Sequence, residues 1–181
     1  MKLKKLICIA TISVLGVLSF AGCAKKQDAK KTETSSEAST QEASAQVFAM
    51  DTYMNLKAYG KNAQKAVDDA KSEIERLDQL WSAVDKNSEI YQLNQKKKMK
   101  VSDETLELIE FAKKKSKESN DAFDISIYPI VELWGFPTQN FRVPSQEALD
   151  QLLPLTDAGN ISYDKATKKI SFGAEGMKID L

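Results

Sequence analysis

MDTYMNLKAYG, residues 50–60, runs straight into KNAQKAVDDAKSEIERLDQLWSAV, residues 61–84, and the change of period between the two decides the fold class. In the first stretch Tyr53, Leu56 and Tyr59 stand among residues that tolerate extended backbone, and Gly60 halts the run, so a strand over 50–59 is predicted. From Asn62 onward Val67, Ala70, Ile74, Leu77, Trp81 and Val84 recur at steps of three and four. That spacing lays one apolar stripe along a long helix and leaves Asp68, Lys71, Glu75 and Asp78 on the water side.

Further along, Ser102 followed by Asp103 and Glu104 caps a second helix, with Leu108, Ile109, Phe111 and Ala112 as its buried side. Ser145 with Glu147 opens a third helix that buries Leu149, Leu152 and Leu153 before Pro154 ends it. Ile161-Ser-Tyr163 and Ile170-Ser-Phe172 alternate on either side of Lys165-Ala-Thr167 as paired strands would, and Met177 to Leu181 begins another strand. Helices and strands are mixed without strict strand-helix-strand alternation, so the fold class is α+β. Residues 85–101 and 120–144 receive no element. A strand at the chain end with no turn or cap after it reads as a domain cut short, with its last strand unpartnered and its core open.

Upstream, Lys2, Lys4 and Lys5 precede an apolar run from Leu6 to Phe20, and Phe20-Ala21-Gly22-Cys23 follows. A cationic start, a short apolar middle and small residues at the cut make 1–22 a secretory signal, and an uncleaved anchor is the alternative. The cysteine after Ala-Gly resembles a lipobox, which makes Cys23 the lipidation site and places the protein on the extracytoplasmic face of the cell membrane. Residues 23–46 hold no aromatic residue and no Leu, Ile or Val, so they read as a lipid-anchored disordered linker. The folded part is expected over 47–181.

Lysine plus arginine equals aspartate plus glutamate at 26 each, so there is no excess positive field to gather phosphate backbones, and nucleic acid is not an expected partner. The chain has no histidine, which excludes a Ser-His-Asp triad and histidine metal sites. Any metal must be held by oxygen. Cys8 lies in the discarded run, so a mature chain keeps Cys23 alone and forms no intrachain disulfide.

Six segments in order resemble the ApbE family of FAD:protein FMN transferases: Phe48-Ala-Met-Asp-Thr-Tyr53, Asn87-Ser88-Glu89-Ile90 with Leu93-Asn94, Asp121-Ala122-Phe123-Asp124-Ile125, Pro129 through Leu133-Trp134-Gly135-Phe136, Val143-Pro-Ser-Gln146, and Gly176-Met177-Lys178-Ile179-Asp180-Leu181. The resemblance covers the whole folded part. It implies an α+β, T-fold-related domain, of which this chain carries the N-terminal portion and stops before the metal-binding half. It also implies an enzyme that binds FAD as substrate, uses Mg2+, and moves FMN onto a threonine hydroxyl of a client subunit of a sodium-pumping (Nqr) or Rnf-type redox complex, releasing AMP. The magnesium ligands are expected downstream of Leu181, and the chain as it stands is expected to be inactive. The catalytic base is not identified.

Onto this sequence the resemblance carries Met50, Val84, Ala122, Phe123, Asp124 and Asp180 as FAD-contacting positions. Each also has a plain structural reading. Met50 can fill a strand's core face, Val84 completes the helix stripe, Asp124 can close a turn, and Asp180 can be an exposed strand-end charge. Asp51 departs from the glycine common at that step and could crowd a phosphate. Leu133-Trp134-Gly135-Phe136 could wall a flavin pocket or lie in plain core. Asn94 and Ser88 read as structural, a helix cap and a loop bond. Two other functions fit the same residues: FAD pyrophosphatase, with water in place of the threonine, and a flavin-sequestering lipoprotein without catalysis.

Overall fold

The computed structural model describes residues 41–181. The expected signal sequence, Cys23 and the expected linker as far as residue 40 lie outside the described residues. Strand β1 (Glu42–Ala49) and strand β2 (Thr52–Tyr59) form an antiparallel hairpin, in register from Glu42 opposite Tyr59 to Ala49 opposite Thr52. Helix α1 (Ala63–Trp81) packs against both strands. Val47 and Ala49 are buried against it from β1, and Ala63 and Val67 are buried in α1.

Two boundaries differ from expectation here. The first strand starts at Glu42, within the stretch expected as linker and ahead of Val47, because a ladder of backbone hydrogen bonds to β2 needs no large side chain, and Ala43 and Ala45 are small enough to lie over α1. The second strand starts at Thr52 rather than Met50, because Met50 and Asp51 form the turn.

Helix α2 (Glu89–Lys96) begins at Ser88, whose hydroxyl accepts from the Tyr91 amide and donates to the Ser82 carbonyl. Strand β3 (Lys98–Lys100) leads to helix α3 (Asp103–Glu118), capped by Ser102 as predicted. Helix α4 (Tyr128–Trp134) carries Pro129 in its first turn, where the ring's fixed φ suits the helix and no amide is missed. Helix α5 (Gln146–Leu152) is capped by Ser145, but it buries none of its leucines fully: Leu149 and Leu152 are half-buried and Leu153, past its end, is exposed, because so short a helix covers only the edge of the domain. Strands β4 (Ile161–Asp164) and β5 (Lys169–Phe172) pair as expected, and β3 adds to β5, giving the antiparallel order β3-β5-β4.

The main core joins α2, α3, this sheet and the last residues of the chain around Ile90, Leu93, Ile109, Ile161, Ile170 and Ile179. Met177 and Ile179 are 0% exposed. The closing segment is therefore neither a regular strand nor unpartnered. It makes a single parallel bridge between Lys178 and Ile127, and the Asp180 amide donates to the Ile125 carbonyl at 2.8 Å. On its other side Asn94 substitutes for a neighbouring strand. Its side-chain amide donates to the Ile179 carbonyl and its carbonyl accepts the Ile179 amide, both at 2.8 Å. Lys178 adds an ion pair to Glu132 of α4 at 2.5 Å.

Candidate functional site

A cavity of about 710 Å³ opens between the hairpin tip, the end of α1, one side of α3, the α3–α4 connection and the last two residues. That size suits a drug- or nucleotide-sized ligand. Its hairpin wall is Phe48 to Asp51. Met50 and Asp51 have φ of 51° and 52°, so both central residues of this two-residue turn are left-handed, the geometry of a type I′ hairpin. Asp adopts that region more readily than most side chains, whereas for Met it costs about 1 kcal/mol or more. The glycine that the resemblance leads one to expect at position 51 would take this conformation without strain. The Met50 amide donates to the Asp78 carboxylate of α1 at 2.8 Å, and Met50 itself is 42% exposed over the cavity.

Val84 is not part of the helix stripe. Helix α1 stops at Trp81, and Val84 sits 56% exposed in the following loop, on the cavity rim. Trp81 lines the same wall while its indole N–H donates to Thr105. Phe111, expected in the core, is 56% exposed and faces the cavity with Leu108. The reason is angular: the buried residues of α3 are Thr105, Leu106, Ile109, Ala112 and Ser116, and Phe111 lies about 200° round the helix from Ile109.

After α3 the chain turns through left-handed Asn120 and Asp121. Ala122 is exposed and does not line the cavity, while Phe123 does. Asp124 lines it too, with both carboxylate oxygens engaged. One accepts from the Ser126 amide at 2.7 Å and the Ser126 hydroxyl at 2.5 Å, and the other from the Ala158 amide at 2.9 Å. The turn-closing reading of Asp124 is thus observed alongside its place at the cavity. Tyr128 closes the floor, its hydroxyl donating to the Ala83 carbonyl at 3.3 Å. Burial pushes that phenol up to about 12, helped by the nearby charges of Glu132 and Asp180. Asp180 also faces the cavity, and burial raises its carboxyl above the usual range, with the charge of Asp51 adding to the effect. It is partly buried, not an exposed strand-end charge.

Of the Leu133–Phe136 group, Phe136 is the cavity wall. Trp134 stacks behind it at 6.5 Å between ring centroids, and Phe141 meets its edge at 5.7 Å. Gly135 makes this possible: its φ is 83°, and a Cβ there would lie 1.9 Å from the Asn140 carbonyl oxygen.

The structure therefore brings Met50, Val84, Phe123, Asp124 and Asp180 to one cavity and leaves Ala122 beside it. Sequence reading missed Asp78, Phe111, Ile127 and Tyr128 as lining residues. Among the described residues the lining includes the carboxylates of Asp51, Asp78, Asp124 and Asp180 and no lysine or arginine. Among the described residues no three His, Cys, Asp or Glu side chains group closely enough to hold a metal ion. The magnesium that the resemblance implies does not find a ligand set in these residues alone.

An aromatic cavity of nucleotide size, framed by a hairpin tip, helix ends and a loop, gives this α+β domain a candidate ligand site. The profile of the ApbE family matches residues 50–181, and the chain belongs to that family. It is 26% identical over 143 residues to the FAD:protein FMN transferase of Escherichia coli K12, an alignment covering 75% of this chain and 39% of that protein. The ApbE protein of Thermotoga maritima superposes with a TM-score of 0.73 at 26% identity, over 78% of this chain and 47% of that one. The apo flavinyl transferase ApbE of Pseudomonas stutzeri gives 0.66 at 21% identity, over 78% and 49%, and supports the fold. The chain thus spans less than half the length of these relatives.

Proposed function

We propose that this chain is the FAD-holding portion of an FAD:protein FMN transferase. The observation that supports the reading best is the convergence of five of the six FAD-contacting positions on one aromatic cavity, from segments that lie up to 130 residues apart in the sequence, Met50 to Asp180. In this reading the Met50 thioether and the Phe123 and Phe136 rings pack on flat heterocycles, as soft and aromatic groups do. Asp180, its carboxyl raised by burial, faces the same space as a polar group among these apolar surfaces. Val84 and Ala122 border the mouth.

The reaction is phosphoryl transfer. A threonine hydroxyl oxygen of the client bonds to the phosphorus of the FMN half, and the bond from that phosphorus to the bridging oxygen breaks. AMP leaves with that oxygen, and the hydroxyl proton passes to a base. An acid-lined cavity without cations repels a diphosphate, so neutralising charge has to come from Mg2+ and from groups in the part of the family's length that this chain does not span. The client, in this proposal, is a subunit of an Nqr- or Rnf-type redox complex, reached by a protein tethered to the outer face of the cell membrane through lipid on Cys23. Among the described residues no helix is long and apolar enough to cross a membrane.

Incubation of the full-length form with FAD, magnesium and a client domain should leave flavin fluorescence on the client after denaturing electrophoresis, whereas residues 1–181 alone should leave none. A client left unlabelled by the full-length form would contradict transfer, and release of FMN with AMP in the absence of a client would show hydrolysis in its place. Replacement of Cys23 by serine is expected to move the protein from the membrane fraction to the soluble one, and an unchanged distribution would contradict the lipid anchor.

A further inference from the structure

The hairpin turn overhangs the cavity on two left-handed residues, neither of them glycine. The buried part of β1, Val47 and Ala49, stops just short of it, so packing fixes the base of the hairpin and not its tip. Among the described residues the turn makes one hydrogen bond to the rest of the domain, from the Met50 amide to Asp78 Oδ1 at 2.8 Å, across 28 residues of sequence. Asp78 is an unhelpful residue for the helix that carries it. It sits in the last turn of α1, where a carboxylate faces the negative end of the helix dipole. No other hydrogen bond is described for its side chain, and it lines the cavity beside the turn it holds.

We infer that Asp78 is a positioning residue: its carboxylate locks the Met50–Asp51 turn into the left-handed conformation that forms one wall of the cavity, so that the wall is in place before ligand arrives. The consequence for FAD rests on the function proposed above. The consequence for the turn does not. A charge-assisted hydrogen bond to a backbone amide is among the stronger ones, and a wall ordered in advance spares the ligand the ordering entropy.

The test compares the wild type with Asp78→Ala, Asp78→Asn, and Asp78→Ala combined with Asp51→Gly, using amide hydrogen exchange and FAD titration on each full chain. In Asp78→Ala the Met50 amide should lose protection about tenfold or more while the Val67 and Ile109 amides keep theirs, and FAD should bind about tenfold more weakly. Asp78→Asn keeps an acceptor oxygen and should stay within about threefold of wild type. Asp51→Gly should restore part of the lost affinity, because glycine adopts the left-handed turn without strain. Unchanged Met50 protection in Asp78→Ala would overturn the inference whatever FAD does. So would a variant that fails to fold at all, since Asp78 would then serve the fold rather than the turn. A turn that loosens in a protein whose wild type takes up no FAD would overturn the link to ligand and the function proposed above, and leave the role of Asp78 in the turn standing.

Discussion

Asp180 is a cavity-facing residue whose carboxyl works against the fold. Burial raises its carboxyl above the ordinary 3.8, so the folded state holds the proton more tightly than the unfolded chain does. Its contribution to stability is therefore fully present below 3.8 and is lost as pH rises through the folded value. Asp180→Asn, neutral at every pH, should melt at a higher temperature than wild type at pH 7, and the gap should close as pH is lowered toward 3.8. A gap independent of pH, measured by thermal scans across that range, would contradict the placement of this carboxyl. The residue scale is also where sequence reading was least reliable. Asp78 and Phe111 are expected in other surroundings, and Val84 lines the cavity without completing the helix stripe, because helical spacing identifies a stripe and does not say where the helix stops or what lies on its second apolar side. For Phe111 the information was present: it falls opposite Ile109 on the helix wheel, and an aromatic off the core stripe needs another partner.

Among the elements, α1, α3, α5 and the β4–β5 hairpin were legible, since each has a long apolar period or a cap signal of its own. Helices α2 and α4, eight and seven residues long, were not, and neither was the three-residue β3. Elements this short carry too few turns for a period to emerge, and tertiary contacts hold them. The left-handed Lys97 that ends α2 illustrates this: its ammonium donates to the Asn94 and Met177 carbonyls at 2.6 and 2.9 Å, a contact that no local pattern contains. The closing segment depends on a similar contact. Asn94→Ala would leave the buried amide and carbonyl of Ile179 unpaired, and is expected to destabilise the domain by about 3 kcal/mol, read from the urea midpoint. A change under about 0.5 kcal/mol would show that the last residues are held by other means.

At the scale of the whole molecule, the class was readable from the mixture of periods and the family from six short segments, yet the cavity was not. It is assembled from a hairpin tip, three helix flanks and a chain end, and composition alone gives no sign of their meeting. Its acidic, aromatic lining suits heterocycles and opposes phosphates, which ties any activity to charge supplied from beyond these residues. The account stands on FAD entering this cavity against the hairpin tip. The most direct measurement is the methyl NMR spectrum of the methionines during titration with FAD. Met50 lies at the cavity, whereas Met177 is fully buried in the core and serves as the internal reference. A saturable ring-current shift of the Met50 methyl with Met177 unmoved is the predicted result, and FAD binding that leaves the Met50 methyl where it was, or no binding at all, would contradict it.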